Sequence, residues 1–399
     1  VTPDEPGDSP AIWALALGQT LTYAGLYYGF AALLPGLELA TGWTKGQLAA
    51  GPTLAFLITA LLTPLTGHWV DRGRAGEMLT LLPLLGAAAL AGLAMATAHW
   101  HWLALWALVG VAQSGSLYET CFAFLTRRLG AGARAAITRV TLVAGFASTL
   151  AFPLGAVMGA AWGGRGALVG FGAIVAAGAV PANLWAVRRL RRRSRRGTTR
   201  PPPEPGALAA AMRRPAFWGL AAVFGLIWLG HTVLITYALT LFAERGAAPA
   251  LAVLAASVVG PSQVTGRLVL MLNEHRVGNA RATRLALLLI TLAAISLWAA
   301  GAATGMIFTF AMLQGAGAGL LSILRPVLLA DLLGRRGFGA VSGALAVSPI
   351  LATAAGPSLG AALLHWGGAG AVYAACLIMA LAALAIGIIL TARRDSGAG

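Results

Sequence analysis

Between residues 10 and 392 the chain is a succession of twelve apolar stretches of bilayer-spanning length, and almost every charge falls in the short breaks between them. A bilayer core takes roughly 20 apolar residues per spanning helix. In hydrocarbon a backbone persists only if its own N–H and C=O groups satisfy one another. The stretches run over 11–35, 46–66, 76–98, 102–126, 136–162, 166–187, 216–243, 249–272, 282–303, 305–333, 339–364 and 369–391. The pattern predicts an all-α polytopic membrane protein with twelve transmembrane helices. A soluble fold is excluded by the shortage of charge: 10% of residues are charged, against roughly a quarter in soluble domains.

Orientation follows from the arginines, because cytoplasmic loops hold an excess of Lys and Arg. With both termini cytoplasmic, the inside breaks collect Arg72, Arg74, Arg127, Arg128, Arg134, the run from Arg188 to Arg214, Arg267, Arg276, Arg281, Arg284, Arg335, Arg336, Arg393 and Arg394. Outside breaks hold only Lys45, Arg165 and Arg245. The net charge of +16 is therefore an orientation signal. The segment RRLRRRSRR at 188–196 reads as topogenic charge that also attracts anionic membrane lipid, and no nucleic-acid partner is expected. Cys121 and Cys376 both lie inside spans, which suggests packing residues and neither a disulfide framework nor a metal site. The stretch VTPDEPGDSP has no basic segment before the first span, so no cleaved signal peptide is expected.

The longest polar break, 188–215, contains the rigid PPPEP at 201–205 and reads as a basic linker. It divides a six-helix bundle at 11–187 from a second at 216–392, with tails at 1–10 and 393–399. The halves echo each other. Leu65-Thr66-Gly67 pairs with Val264-Thr265-Gly266 at an offset of 199, and Leu154-Gly155-Ala156 pairs with Leu359-Gly360-Ala361 at 205. Repeated halves around a midplane site are the usual build of secondary transporters.

The segment GHWVDRGR at 67–74 resembles the signature loop of the major facilitator superfamily, Gly-x-x-x-Asp-Arg-x-Gly-Arg followed by a basic residue. It is one residue short, and Ala75 replaces the final base. The resemblance implies a conformational latch of Gly67, Asp71, Arg72, Gly73 and Arg74, with Asp71 docking near 339–342 to close the cytoplasmic side. In the second half the corresponding segment, 266–270, has no acid. GPSLG at 356–360 looks like the superfamily's Gly-Pro element of the eleventh helix, with FPLG at 152–155 as its counterpart. GWTKGQL at 42–48 resembles the monocarboxylate-porter-like bacterial branches. What the resemblance implies is a monomeric inner-membrane carrier working by alternating access, with a small-molecule substrate and no cofactor.

An ionisable group inside a span is a functional candidate by default. Glu119 lies eight residues before Arg127 and Arg325 ten before Arg335, so they sit about 12 Å and about 15 Å from their helix ends at about 1.5 Å per residue. In the superfamily the first, fourth, seventh and tenth helices line the cavity, and by that resemblance both groups face it. Arg325 is the expected anchor for an anionic substrate, and Glu119 the proton-coupling group; the alternative is a purely structural pair. Gln19, Tyr23 and Tyr27 share a face of the first helix and, with Trp228 and Gln113, complete the expected substrate wall. His231 is a second candidate proton carrier because its pKa lies nearest neutrality. Arg267 reads as a structural or snorkelling charge.

There is no nucleotide-binding glycine loop, no HExxH and no carboxylate pair within a span, so enzyme and pump readings are not supported. The reading is a secondary transporter, symporter or antiporter, for a carboxylate or other amphipathic metabolite. Proton-driven drug or toxicant efflux, metal transport, and a sensor or assembly protein on the same fold remain as alternatives.

Overall fold

The computed structural model describes residues 9–193, 206–273, 277–334 and 338–395. Among these residues there is no strand, and the chain divides into two compact units, Val1–Arg200 and Pro201–Gly399. In the N-terminal unit α1 (Ser9–Tyr23) passes through a π turn at Ala24–Tyr28 into α2 (Gly29–Thr41). Then follow α3 (Lys45–Asp71), α4 (Ala75–Ala94), α5 (His99–Ser116), α6 (Tyr118–Leu129), α7 (Ala133–Ala144), α8 (Ala147–Ile174) and, after a second π turn, α9 (Val180–Arg193). The C-terminal unit opens with α10 (Ala207–Met212). It continues through α11 (Pro215–Thr236), α12 (Ala238–Glu244), α13 (Pro249–Leu272), α14 (Asn279–Ala299), α15 (Met306–Leu333) and α16 (Phe338–Asp395).

Eight segments among the described residues are long and apolar enough to cross a membrane. Two of these, Ala135–Arg191 and Val341–Ala392, are each long enough for two crossings. Each contains one residue with non-helical backbone, Gly163 (φ 69°, ψ 173°) in α8 and Gly368 (φ 62°, ψ −162°) in α16. Only glycine enters that region without strain, so each long run is two helices joined at its glycine. The expected spans at 11–35 and 102–126 are helical runs interrupted within their length, one by the π turn and one by extended backbone at Leu117 (φ −88°, ψ −167°).

The duplication is clearest in the packing. Gly163 and Gly368 are 205 positions apart, and exposed Trp162 and Trp366 stand beside them, suited to the membrane–water boundary. A Cβ on Gly155 would meet Ala32, and one on Gly360 would meet the ring of Tyr237; both members of each pair shift by 205. Likewise Gly110 lies against the backbone of Ala55 and Gly315 against that of Val259. Small residues at such crossings let helix backbones touch, which is how membrane helices gain dispersion energy in the absence of a hydrophobic drive.

This register corrects the 199-residue pairing of Gly67 with Gly266. A Cβ on Gly266 would press on the Ala316 carbonyl, whereas one on Gly67 would meet open space. Counted from the Ala55–Val259 equivalence along α3 and α13, the counterpart of Asp71 falls beyond the end of α13, outside the described residues.

Candidate functional site

In the N-terminal unit the structure gathers Tyr23 and Tyr27 with an aromatic partner from another helix. The Tyr23 and Tyr118 rings are 4.4 Å apart, Tyr23 and Tyr27 are 5.7 Å apart, and Tyr27 lies 5.3 Å from Phe56 of α3. Tyr118 stacks on Phe122 at 5.0 Å. All three tyrosines are half-buried, and Glu119, next in the chain to Tyr118, is exposed. Tyr118 and Glu119 open α6 immediately after the extended residue Leu117. The carboxylate thus stands in the first turn of a helix, where the dipole favours negative charge by about 0.3–1 kcal/mol.

Two buried glutamines hold these irregularities in place. Gln19 Nε2 donates to the carbonyl of Ser116, the last residue of α5, at 2.9 Å. A helix end leaves such carbonyls without intrahelical partners. In the reverse direction Gln113 Nε2 donates to the Leu26 carbonyl in the π turn at 2.7 Å, while its Oε1 accepts from Thr59 Oγ1 at 3.2 Å. Gln19 is fully buried and Gln113 nearly so. Their amide donors are committed to backbone.

In the C-terminal unit His231 is buried, within 3.1 Å of Gln314 Nε2 through Nδ1 and 5.3 Å edge-on from the half-buried Trp228. It lines a cavity of about 10 Å³ together with Gly230, Gln314, Cys376 and Met379, a space of about one water molecule. Gln314 Oε1 has no hydrogen-bond partner. The cavity lies among α11, α14, α15 and α16, inside the bundle. Arg325 is half-buried on α15 with its guanidinium 6.0 Å from the Phe224 ring on α11. Arg267 is buried, not snorkelling, and donates from Nε to Ser322 Oγ of α15 at 3.2 Å.

The GHWVDRGR loop is a helix ending in glycine. Gly73 (φ 86°) donates to Val70 O at 2.9 Å and Arg74 donates to Trp69 O at 3.0 Å, the paired bonds of a Schellman cap. Arg127 Nη1, from the end of α6, also donates to Val70 O at 3.2 Å. Nearby, Glu77 of α4 pairs with Arg191 of α9. Burial, with the guanidinium groups of Arg191 and Arg127, holds Arg128 below the usual arginine range. The latch contact itself lies outside the described residues, because the Asp71 side chain and those of 338–340 are not described.

No spacing in the sequence ranks Tyr118 or Gln314 above other polar groups within spans, and none signals the interruption at Leu117. No proline or positive-φ glycine marks that break; its signal is a glutamine 97 residues away.

Over residues 15–311 the chain matches the family model described as the Major Facilitator Superfamily. Among solved structures, a bacterial homolog to the human lysosomal transporter Spinster, in inward-facing and unoccupied conformation, is similar with a TM-score of 0.67 at 15% identity, covering 98% of this chain and 96% of that one. The nucleoside transporter NupG is similar with a TM-score of 0.69 at 13% identity, covering 96% of this chain and 98% of that one. At such identities the likeness is one of fold. No curated protein matches the chain significantly. The family match spans well over half of the residues and agrees with the two helical units and the glycine-capped GHWVDRGR turn: the chain belongs to the major facilitator superfamily.

Proposed function

We propose that the chain is a secondary transporter that moves a small organic solute across the bacterial inner membrane by alternating access. Both termini are cytoplasmic in this reading, and the protein works as a monomer. The observation that carries it is the helix interruption at Leu117, which presents Tyr118 and Glu119 beside Tyr23 and Tyr27. Transporters of this general build form substrate and ion sites at discontinuous helices, and π turns such as Ala24–Tyr28 recur at functional positions.

The tyrosines supply an amphipathic wall, and Glu119 is the proton-coupling group, as the ionisable side chain that the break presents beside them. Arg325 holds an anionic substrate group; a guanidinium offers a planar fork of donors suited to carboxylate. Gln19 and Gln113 position the wall without touching solute. His231, enclosed with Gln314 around a space of about 10 Å³, is a packing residue in this account.

A second reading is favoured by the same tyrosine cluster. Aromatic faces beside a carboxylate suit organic cations, which is the chemistry of drug or toxicant efflux. A ligand-stabilisation screen on the purified chain separates the two, because a ligand that binds only the folded state raises its apparent stability. Carboxylate hits that weaken in Arg325→Ala support the first reading. Organic-cation hits that weaken in Tyr118→Ala and Glu119→Gln, and not in Arg325→Ala, support the second.

A further inference from the structure

One end of the C-terminal unit carries a surface groove of about 590 Å³ between the start of α11, the end of α15 and the last turns of α16. That volume falls within the roughly 300–1,000 Å³ typical of small-molecule sites. Its walls are apolar: Ala216 and Gly219 from α11, Leu332 from α15, and Ile386, Ile389 and Leu390 from α16. Ile389 is 59% exposed and Trp218, next in the chain to the groove residue Gly219, 57%, so the groove opens on the surface of the unit.

The mouth is basic. Arg214 lines it as the residue that precedes Pro215 at the start of α11, where the helix dipole favours an anion. Arg214 Nη1 donates to Leu333 O at 3.2 Å, which fixes the guanidinium at the rim with further N–H donors left on it. Arg213 is exposed beside it. At the same end Arg284 donates from Nε to Thr391, next to the groove residue Leu390, at 2.9 Å. The acid in the lining, Asp331, accepts from Asn279 Nδ2 at 2.8 Å. An apolar trough with a cationic rim is the complement of a molecule with a long apolar chain and an anionic head.

We propose that this groove holds one anionic phospholipid of the cytoplasmic leaflet, with its phosphate at Arg213, Arg214 and the first turn of α11, and an acyl chain along Gly219, Ile386 and Ile389. The leaflet follows from the arginine distribution, since this is an arginine-rich end of the unit. A lipid so placed ties α11, the first long helix of the unit, to α16, its last.

The test uses the purified full-length chain, stripped of lipid in detergent and then offered dioleoyl phosphatidylglycerol, dioleoyl phosphatidylcholine or glycerol 3-phosphate. Retained lipid is counted by native mass spectrometry, and the unfolding midpoint is measured alongside. Phosphatidylglycerol should be retained in preference to phosphatidylcholine by about fivefold for each arginine engaged, and should raise the midpoint. The double variant Arg213→Gln/Arg214→Gln should bring the two lipids to parity at this site. Ala216→Phe, which fills the trough and keeps both charges, should lower retention of phosphatidylglycerol by a similar factor, so the proposal stays testable if the double variant folds poorly. Equal retention of the two lipids by the parent chain would overturn it, as would a preference unchanged in both variants. Stabilisation by glycerol 3-phosphate equal to that by the whole lipid would make this a free-phosphate site and reject the lipid.

Discussion

Gln19 and Gln113 brace each other's helices. The first, on α1, caps the end of α5 at Ser116; the second, on α5, caps the π turn that follows α1 at Leu26. Each irregularity near the tyrosine cluster is thus supported from the helix that carries the other. Removing a buried donor leaves a carbonyl unsatisfied in a medium without water, at about 1–3 kcal/mol. Gln19→Leu and Gln113→Leu should therefore each destabilise by that order. The unfolding midpoint of each variant in detergent is the measurement. Midpoints equal to the parent's would mean that the breaks hold themselves.

Glycine substitutions should sort by what a Cβ would meet. Gly110→Ala and Gly315→Ala drive a methyl to 2.5 Å from the carbonyl oxygens of Ala55 and Val259, and overpacking of this kind typically destabilises by about 1–3 kcal/mol. Gly159→Ala meets nothing within 4 Å and gains helix propensity of up to about 1 kcal/mol. Expression yield and unfolding midpoint should fall for the first two and hold or rise for the third. A Gly159→Ala variant as damaged as Gly315→Ala would show that the small-residue crossings are not what sets stability.

The architecture was legible because hydropathy in a bilayer is a near-complete constraint: twelve apolar runs, arginines between them and a glycine-rich turn suffice for fold and family. Glu119 and the Tyr23–Tyr27 face stand out in the sequence as candidates, being polar groups within apolar spans, where polarity is costly. What the sequence hid is held by long-range bonds. Nothing local predicts the break at Leu117, because the glutamine that supports it lies on another helix. The sequence leaves Arg267 as structural or snorkelling, because distance from a helix end does not say which way a side chain points; it is buried against Ser322. The repeat register, too, is set by contacts at Gly155 and Gly360 and by the backbones of Ala55 and Val259; the 205-residue identity agrees with it, and the 199-residue identity falls five residues short of the Ala55–Val259 equivalence.

Orientation can be read chemically. Cysteines introduced at Arg74 and Arg281 should react with an impermeant thiol reagent only from the cytoplasmic side, and cysteines at Trp162 and Ala248 only from outside. The native Cys121 and Cys376 are buried and should contribute little background. Labelling of both sets from one side would contradict the arginine-based topology.

Arg325→Lys keeps the charge and loses the planar fork. If Arg325 grips a carboxylate through two parallel bonds, the substitution should weaken substrate binding by about tenfold or more, the order expected for a lost charge-assisted hydrogen bond. Titration calorimetry with a carboxylate found in the screen would measure this. Affinity preserved in Arg325→Lys would leave Arg325 as a structural cation on Phe224.

The central claim is that Glu119, presented by the break at Leu117, couples solute movement to protons. In proteoliposomes with an imposed pH gradient, using the substrate found by the screen, Glu119→Gln should abolish accumulation against the solute's own gradient and leave counterflow exchange within about twofold of the parent, since exchange needs binding and conformational change without net proton transfer. Accumulation by Glu119→Gln at the parent's level, with an unchanged pH profile, would contradict the account and assign Glu119 to the helix terminus alone.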